Sequence, residues 1–426
     1  MLLLIILRDG LHINFIFQST HLQVNSNFHL KKILNKFIIF NSAKKIYIMW
    51  PKYSSEEINA VVNVLTNGRG NYWSGNEGKL FEKEFSQWSG AKYSISVSNG
   101  TIALEAALKS LDIGLKDEVI VTSRTYVASA SAISLIGATP VFVDVDLDSQ
   151  NIDIESIKAA ITKRTKAIIC VHLAGWPCDM NALMEISEAH NIFVIEDCSQ
   201  AHGAKYNNKS VGTFGHVGTW SFCHDKIMST GGEGGMITTS SKNILKKILS
   251  YRDHGRDFDI KLNNNNKFQW IRGSIGTNAR LTEMQSAIGR IQLQSVDSWV
   301  ETRRKNLDKI WNAVRNIKGF RVPVVPINVY HAAYKCYVFV QPKLLKPECD
   351  RDWIVEELNK RNVESFTGSC PEVYLEKAFP PTTARMKNSK ELGDTSIMFK
   401  VDQTVDDRDF DKIIETLHEV MKNSRL

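Results

Sequence analysis

The segment SFCHDKIMSTGGEGG, residues 221–235, places one lysine, Lys226, five residues after Ser221 and ahead of four glycines broken by one glutamate. A lysine amine in such a setting can clamp a phosphate, condense with a carbonyl to a Schiff base, or stand as a solvated charge. A nucleoside-triphosphate loop needs its glycines before the lysine and a helix after it. Here the glycines follow, and a strand-like run comes next, so the order excludes that reading. A dinucleotide fingerprint is also absent, because GRGNYWSG (68–75) has the wrong spacing and precedes the sheet. Schiff-base chemistry stays open, with glycines that let the backbone bend close to a ligand. A solvated charge is the commoner fate of a lone lysine beside such a loop.

Three other stretches offer matching chemistry. Asp197 ends the apolar run of VIEDCSQAHGA (194–204), and ligands of α/β sheets lie beyond the carboxyl ends of the strands. A carboxylate there can keep a pyridine nitrogen protonated, or simply cap the next turn; Gln200 and His202 follow it. In SVSNGTIALEAAL (96–108) a strand gives way to a helix at Gly100-Thr101, whose amides can cradle a phosphate. Capping accounts for Ser98, Asn99 or Thr101 equally well. In SRTYVASASA (123–132) Tyr126 follows another strand, where an aromatic can stack on a flat ligand or pack in the core. One phosphate cradle, one aromatic, one carboxylate and one lysine thus occur in that order, each at a strand end.

The elements that must hold these residues alternate. Helical spacing marks 54–68 and 78–90. Strand-like runs follow at 93–98, 118–123, 139–145, 166–173, 192–197, 217–222 and 234–239, the first five separated by helical patterns. That is an α/β plan with a mostly parallel sheet, and runs such as IFVIED read as strands covered on both faces. Beyond residue 240 the texture changes. Residues 259–271 read as an exposed Asn-rich loop, 281–317 as one long helical pattern, and the last hundred residues as a smaller α+β lobe. The expected division is 1–48 as an extension outside the fold, 49–295 as the large domain and 296–426 as the small one.

The 426 residues carry a net charge of +7, but residues 1–48 hold six Lys/Arg against one acid, which is +5 and leaves +2 for the rest. No basic stripe with interleaved aromatics remains, so nucleic acid is not an expected partner. The seven cysteines are scattered and form no C-x-x-C pair, which points to neither a zinc site nor a disulfide framework and suits a reducing cytoplasm. MLLLIIL is too short to span a bilayer and lacks the charge order of a signal peptide. The expected functional start is Met49, with 1–48 dispensable; a membrane-surface arm is the alternative.

Taken together, SNGTIALEAAL, DEVIVTSRTYVASASAI, TPVFVDVD, HLAGWPCDM, VIEDCSQAHGA, SFCHDKIMSTGGEGGMITT and GTNARLTEMQSAIGRIQL resemble the DegT/DnrJ/EryC1/StrS family of pyridoxal-phosphate-dependent nucleotide-sugar aminotransferases. The resemblance runs from about Trp50 to the C-terminus. It implies the type I fold of pyridoxal-phosphate-dependent transferases: a seven-stranded, mostly parallel sheet flanked by helices, with a smaller C-terminal α+β domain. It implies pyridoxal 5′-phosphate as cofactor, no metal, glutamate as the usual amino donor and a nucleotide-linked keto-sugar as acceptor, in glycan or surface-polysaccharide precursor synthesis.

Residue by residue, the resemblance makes Lys226 the Schiff-base lysine and proton carrier, and Asp197 the partner of the pyridinium nitrogen. Gln200 lies near the cofactor's phenolic oxygen. Ser221 with the Gly100 and Thr101 amides holds the phosphate, and Tyr126 stacks on the ring. Asn278 reaches the phosphate in the partner subunit, which makes the unit a homodimer with shared sites, placed in the cytoplasm and off the membrane. Cys223-His224-Asp225 depart from the commonest family pattern, and the expectation is that they shape the loop only. GGEGG has one glycine more than usual. Two alternatives belong beside this: a sugar dehydratase, in which a histidine replaces the lysine, and a non-catalytic regulatory relative.

Overall fold

A computed structural model describes residues 50–260 and 268–424; the 1–48 extension, its disputed role and the centre of the Asn-rich loop lie outside them. The chain opens with α1 (Ser55–Asn67) and α2 (Glu77–Ser89). Ser54 and Glu57 close a capping box at the start of α1, and Gly68 ends it in the left-handed region at φ 70°. Then come β1 (Tyr93–Val97), α3 (Gly100–Ser110), β2 (Glu118–Thr122), α4 (Ala128–Leu135), β3 (Thr139–Val143), α5 (Ile154–Ala160), β4 (Thr165–Val171), α6 (Met180–His190) and β5 (Phe193–Asp197). A short hairpin, β6 (Lys205–Tyr206) and β7 (Lys209–Ser210), precedes β8 (Val217–Ser221), β9 (Gly235–Thr239) and α7 (Lys242–Arg252).

The main sheet has seven strands in the order β1-β9-β8-β5-β4-β2-β3. Strand β9 runs against both its neighbours, while β8, β5, β4, β2 and β3 pair in parallel, so six strands share one direction. Parallel strands must be covered on both faces, and the side chains show it. Val119 and Val121 of β2, with Ala167, Ile169 and Val171 of β4, enter one core. Ile120, Ile168 and Cys170 between them enter another on the opposite face. One consequence matters for the site: the carboxyl ends of β1, β2, β5 and β8 all lie along the same edge.

The pattern over 281–317 is not one helix. It breaks into α8 (Glu283–Leu293) and α9 (Val296–Val314), because Gln294 and Ser295 tighten the end of α8 with bonds back to Ile291 and Gln292. The start of α8 is pinned where the Glu283 carboxylate accepts the Glu77 and Gly78 amides. The remaining elements are β10 (Phe320–Arg321), β11 (Val329–Tyr330), β12 (Cys336–Val340), α10 (Arg351–Lys360), α11 (Lys387–Thr395), β13 (Ser396–Phe399) and α12 (Asp407–Ser424). Strands β10, β12 and β13 form an antiparallel three-stranded sheet, while β11 joins the β6–β7 hairpin. Residues of α9, α10, α12, β12 and β13 share one core, the α+β arrangement expected for this part of the chain. Among the described residues no helix is long and apolar enough to cross a membrane.

Candidate active site

The common carboxyl edge brings the separated stretches together. At the end of β1, Asn99 caps α3 by accepting the Ile102 amide and the Ala103 amide bonds the Asn99 carbonyl, which leaves the Gly100 and Thr101 amides unused among the described residues. The first turn of α3 abuts the end of β8 so closely that a Cβ on Gly100 would lie 2.7 Å from Ser221 Cβ. Ser221 is itself nearly buried, and its Oγ accepts the Cys223 amide at 3.3 Å. This corner presents amides without a partner among the described residues at a helix N-terminus, the kind of donor that anions bind elsewhere.

Two strands of the sheet carry the carboxylate and the lysine. Asp197 ends β5 and Ser221 ends the adjacent parallel β8, with Lys226 in the turn that follows. Asp197 is buried; Ser129 Oγ donates to its Oδ2 at 2.8 Å and the Ser199 amide to its Oδ1 at 3.1 Å. Thr125 Oγ1 in turn meets Ser129 Oγ at 2.9 Å, so β5 and the start of α4 hold this carboxylate between them. Gln200 Oε1 accepts the Ala174 amide at 2.8 Å, which leaves its NH2 group as the side chain's donor. Tyr126 follows β2 and is well exposed. Asn278 is exposed too, on a bridge to Asp253 beside the end of α7.

The glycine run forms the return from the Lys226 loop to β9. Gly231 and Gly232 take φ of 86° and 118°, a region that disfavours other residues. Trp50 Nε1 donates to the Lys226 carbonyl at 2.6 Å and the Lys226 amide bonds Cys223 at 3.1 Å, so the backbone around the lysine is tied on both sides.

The Lys226 side chain meets residues that the sequence reading did not single out. Its Nζ lies 3.4 Å from Tyr334 Oη and 3.6 Å from Asp225 Oδ1. Asp225 therefore does more than shape the loop, contrary to expectation. It accepts the Tyr334 hydroxyl and faces Lys335 Nζ at 3.8 Å. Burial works against the Asp225 carboxylate, but Lys226, the Tyr334 hydroxyl and Lys335 together outweigh it and hold its pKa below the usual value. Burial, with Asp225 beside it, drives the Tyr334 hydroxyl well above its ordinary range. Burial also lowers Lys335 to about 8, with Asp225 opposing and the cations Arg303, Lys226 and Lys400 adding to the drop. In YKCYVFV the Tyr334–Lys335 pair stands at the entry to a buried strand, but nothing in that local pattern ties it to Lys226, 108 positions before Tyr334.

Two buried features lie near the site. His202 packs its ring against Trp220 and Phe222, and burial, then Lys226 and Arg303, lower its pKa to about 3. His172, Glu196 and Cys198 bring potential metal-ligating atoms within 4.8 Å of one another. Hydrogen bonds account for that cluster. Glu196 accepts the amides of Gly212, Phe214 and Gly215 and meets His172 Nε2, while His172 Nδ1 accepts the Cys178 amide.

The chain is similar in sequence and fold to several known proteins. The chain is 42% identical over 234 residues, 55% of its length and 62% of the relative's, to GDP-perosamine synthase of Escherichia coli O157:H7. It superposes on the aminotransferase from Psychrobacter cryohalolentis with a TM-score of 0.86 at 46% identity, covering 88% of this chain and 99% of that one. It also matches DesV of Streptomyces venezuelae, solved in complex with a ketimine intermediate, with a TM-score of 0.78 at 30% identity, covering 86% and 95% of the two chains. The fold is the type I fold of the pyridoxal-phosphate-dependent transferases. The model of the DegT/DnrJ/EryC1/StrS aminotransferase family matches residues 51–418, and the chain belongs to that family.

Proposed function

We propose that this protein is a nucleotide-sugar aminotransferase that moves an amino group from glutamate to a keto group of a nucleotide-linked sugar, for a surface-polysaccharide or related glycan. The observation that carries this reading is the pairing of β5 with β8, which sets buried Asp197 and the Lys226 turn side by side at one sheet edge. The cofactor is pyridoxal 5′-phosphate, which, when bound, supplies the electron sink and carries the amino nitrogen between the two substrates.

The residues present fit that group. The unused Gly100 and Thr101 amides and the Ser221 hydroxyl meet where the first turn of α3 abuts the end of β8, a group of donors that suits a phosphate. Asp197, held as an acceptor by Ser129, keeps the ring nitrogen protonated. Gln200 offers its NH2 group toward the phenolic oxygen, and Tyr126 covers the ring. Lys226 would be the amine that holds the cofactor, and its Nζ would be the group that accepts and returns a proton. Asn278, exposed beside α7, serves the phosphate site of a partner subunit, so the working unit is a homodimer in the cytoplasm. Neither nucleic acid nor membrane is a partner.

Purified protein is expected to be yellow, to change its absorption on addition of glutamate, and to convert a nucleotide keto-sugar to the amino sugar by mass. Protein that binds no pyridoxal phosphate would overturn the reading.

A further inference from the structure

Asp225, Tyr334 and Lys335 are left without a role by the chemistry above, yet all three crowd the Lys226 amine. The Lys226 Nζ donates to Tyr334 Oη at 3.4 Å, and the Tyr334 hydroxyl donates to Asp225 Oδ2. The other Asp225 oxygen lies 3.6 Å from Lys226 Nζ, and Lys335 Nζ lies 3.8 Å from Oδ2. Both ammonium groups also sit near the Tyr334 ring, at 5.1 and 4.6 Å from its centre. Lys226 and Lys335 are largely buried, whereas half of Asp225 faces solvent.

The tyrosine is firmly placed. Its amide bonds the Ala174 carbonyl at 2.9 Å, and Arg303 Nη1 donates to its own carbonyl at 3.4 Å. The hydroxyl is therefore fixed relative to the end of β4, while Asp225 is fixed by the β8 turn. A flexible lysine side chain is caught between two anchored groups.

We infer that Asp225, Tyr334 and Lys335 form a proton-handling set that docks the free Lys226 amine and connects it to solvent. The inference rests on the reading of Lys226 as the reacting amine. A proton leaving Nζ passes to Tyr334 Oη as the hydroxyl's own proton moves to Asp225 Oδ2. The amine is then neutral, the tyrosine is again a neutral phenol, and the carboxyl, a weak base, passes the proton directly to water at its exposed side. Asp225 and Lys335 act as opposed positioning residues. The carboxylate favours the charged amine, and the neighbouring ammonium disfavours it. Beyond these four groups the charged or titratable neighbours are Arg303 of α9, Lys400 after β13, Tyr337 of β12, which faces the Tyr334 hydroxyl, and His202 after β5. The first two are cations on the Lys335 side, and His202 is held neutral.

The test uses full-length protein freed of cofactor, labelled with limiting acetic anhydride and read at Lys226 by peptide mass. Only a neutral amine reacts, so the labelling rate reports the neutral fraction. At pH 7, Asp225→Asn is expected to label Lys226 about tenfold faster than the natural protein, and Lys335→Met several-fold slower. Asp225→Glu is expected to restore the natural rate. A merely structural role would loosen the loop and speed labelling in both variants; equal rates, or changes of the same sign, would overturn the inference. Should Asp225→Asn fail to fold, the direction of the Lys335→Met change decides. The measurement needs no cofactor, so failure of the unaltered protein to take up pyridoxal phosphate would sink the proposed function and leave this result standing.

Discussion

Gly100 and Ser221 touch where only glycine fits, with 2.7 Å between Ser221 Cβ and the place a Gly100 Cβ would occupy. The contact joins the helix that follows β1 to the end of β8. Gly100→Ala must push these elements apart, at a cost of about 1–3 kcal/mol. We expect at least a roughly tenfold weaker affinity for pyridoxal phosphate, read by absorbance titration of cofactor-free protein. An unchanged affinity would show that the corner is not the phosphate site.

Asp197 depends on Ser129, whose hydroxyl donates to Oδ2 at 2.8 Å. Asp197→Asn removes the charge that holds the ring nitrogen protonated, and kcat should fall by a factor on the order of 100 to 10000. Ser129→Ala removes one hydrogen bond to a charged group, worth about 1.5–3 kcal/mol, and the loss in kcat should be smaller than for Asp197→Asn. Steady-state kinetics with glutamate as donor measure both.

His202 sets a pH dependence whose sign follows from its lowered pKa of about 3. The folded state leaves the ring neutral, while the unfolded chain takes a proton near the ordinary value. Its stabilising contribution is complete above pH ~6.5 and is lost as pH falls toward 3, at up to about 1.4 kcal/mol per pH unit. Urea midpoints at pH 7 and pH 4.5 should therefore differ less in His202→Met than in the natural protein. His331, lowered to about 3 by burial and by Arg304, acts in the same direction and should keep part of the slope.

Glu196 organises the loop before β8 by accepting three amides of 212–215. Glu196→Ala leaves the buried Gly212 amide, the half-buried Phe214 and Gly215 amides and His172 Nε2 unpaired, so stability should fall by roughly 3–5 kcal/mol. Thermal melting measures it; a shift of only one or two degrees would contradict the account.

Asn278 offers a test of shared sites. Protein with Lys226→Ala and protein with Asn278→Ala should each be poorly active alone. In a mixed dimer one site carries both defects and the other carries neither. Random reassortment after co-refolding should restore about a quarter of natural activity. No recovery would argue that Asn278 serves its own subunit.

Much of this site was legible before any coordinates. Asp197 and Gly100 stand out because each sits where an apolar strand run stops and a turn or helix begins, and sheet topology then forces such ends together; the roles of Lys226 and Ser221 came from the family resemblance. Tyr334, Lys335 and Ser129 do not stand out. Ser129 lies in an alanine- and serine-rich helix whose composition reads as packing, and its bond to Asp197 spans 68 positions. Tyr334 reaches Lys226 across 108 positions, a contact that depends on how β12 is approached rather than on any local pattern. The division of 281–317 into two helices escaped notice for a related reason: apolar spacing runs on through the break, and only backbone bonding at Gln294 and Ser295 reveals it. The strand β13 is four residues long, too brief to leave a periodic signal.

The bond from the Tyr334 amide to Ala174 fastens the approach to β12 onto the edge of the main sheet. Apart from Asn278, the pieces that would seat the cofactor come from residues 100–226, whereas Tyr334 and Lys335, two of the three groups that would adjust the lysine's behaviour, arrive from later in the chain. These two sets of residues can vary independently. If Lys226 is the reacting amine, substitutions at 334 and 335 are expected to change the pace of proton movement more than the seating of the cofactor.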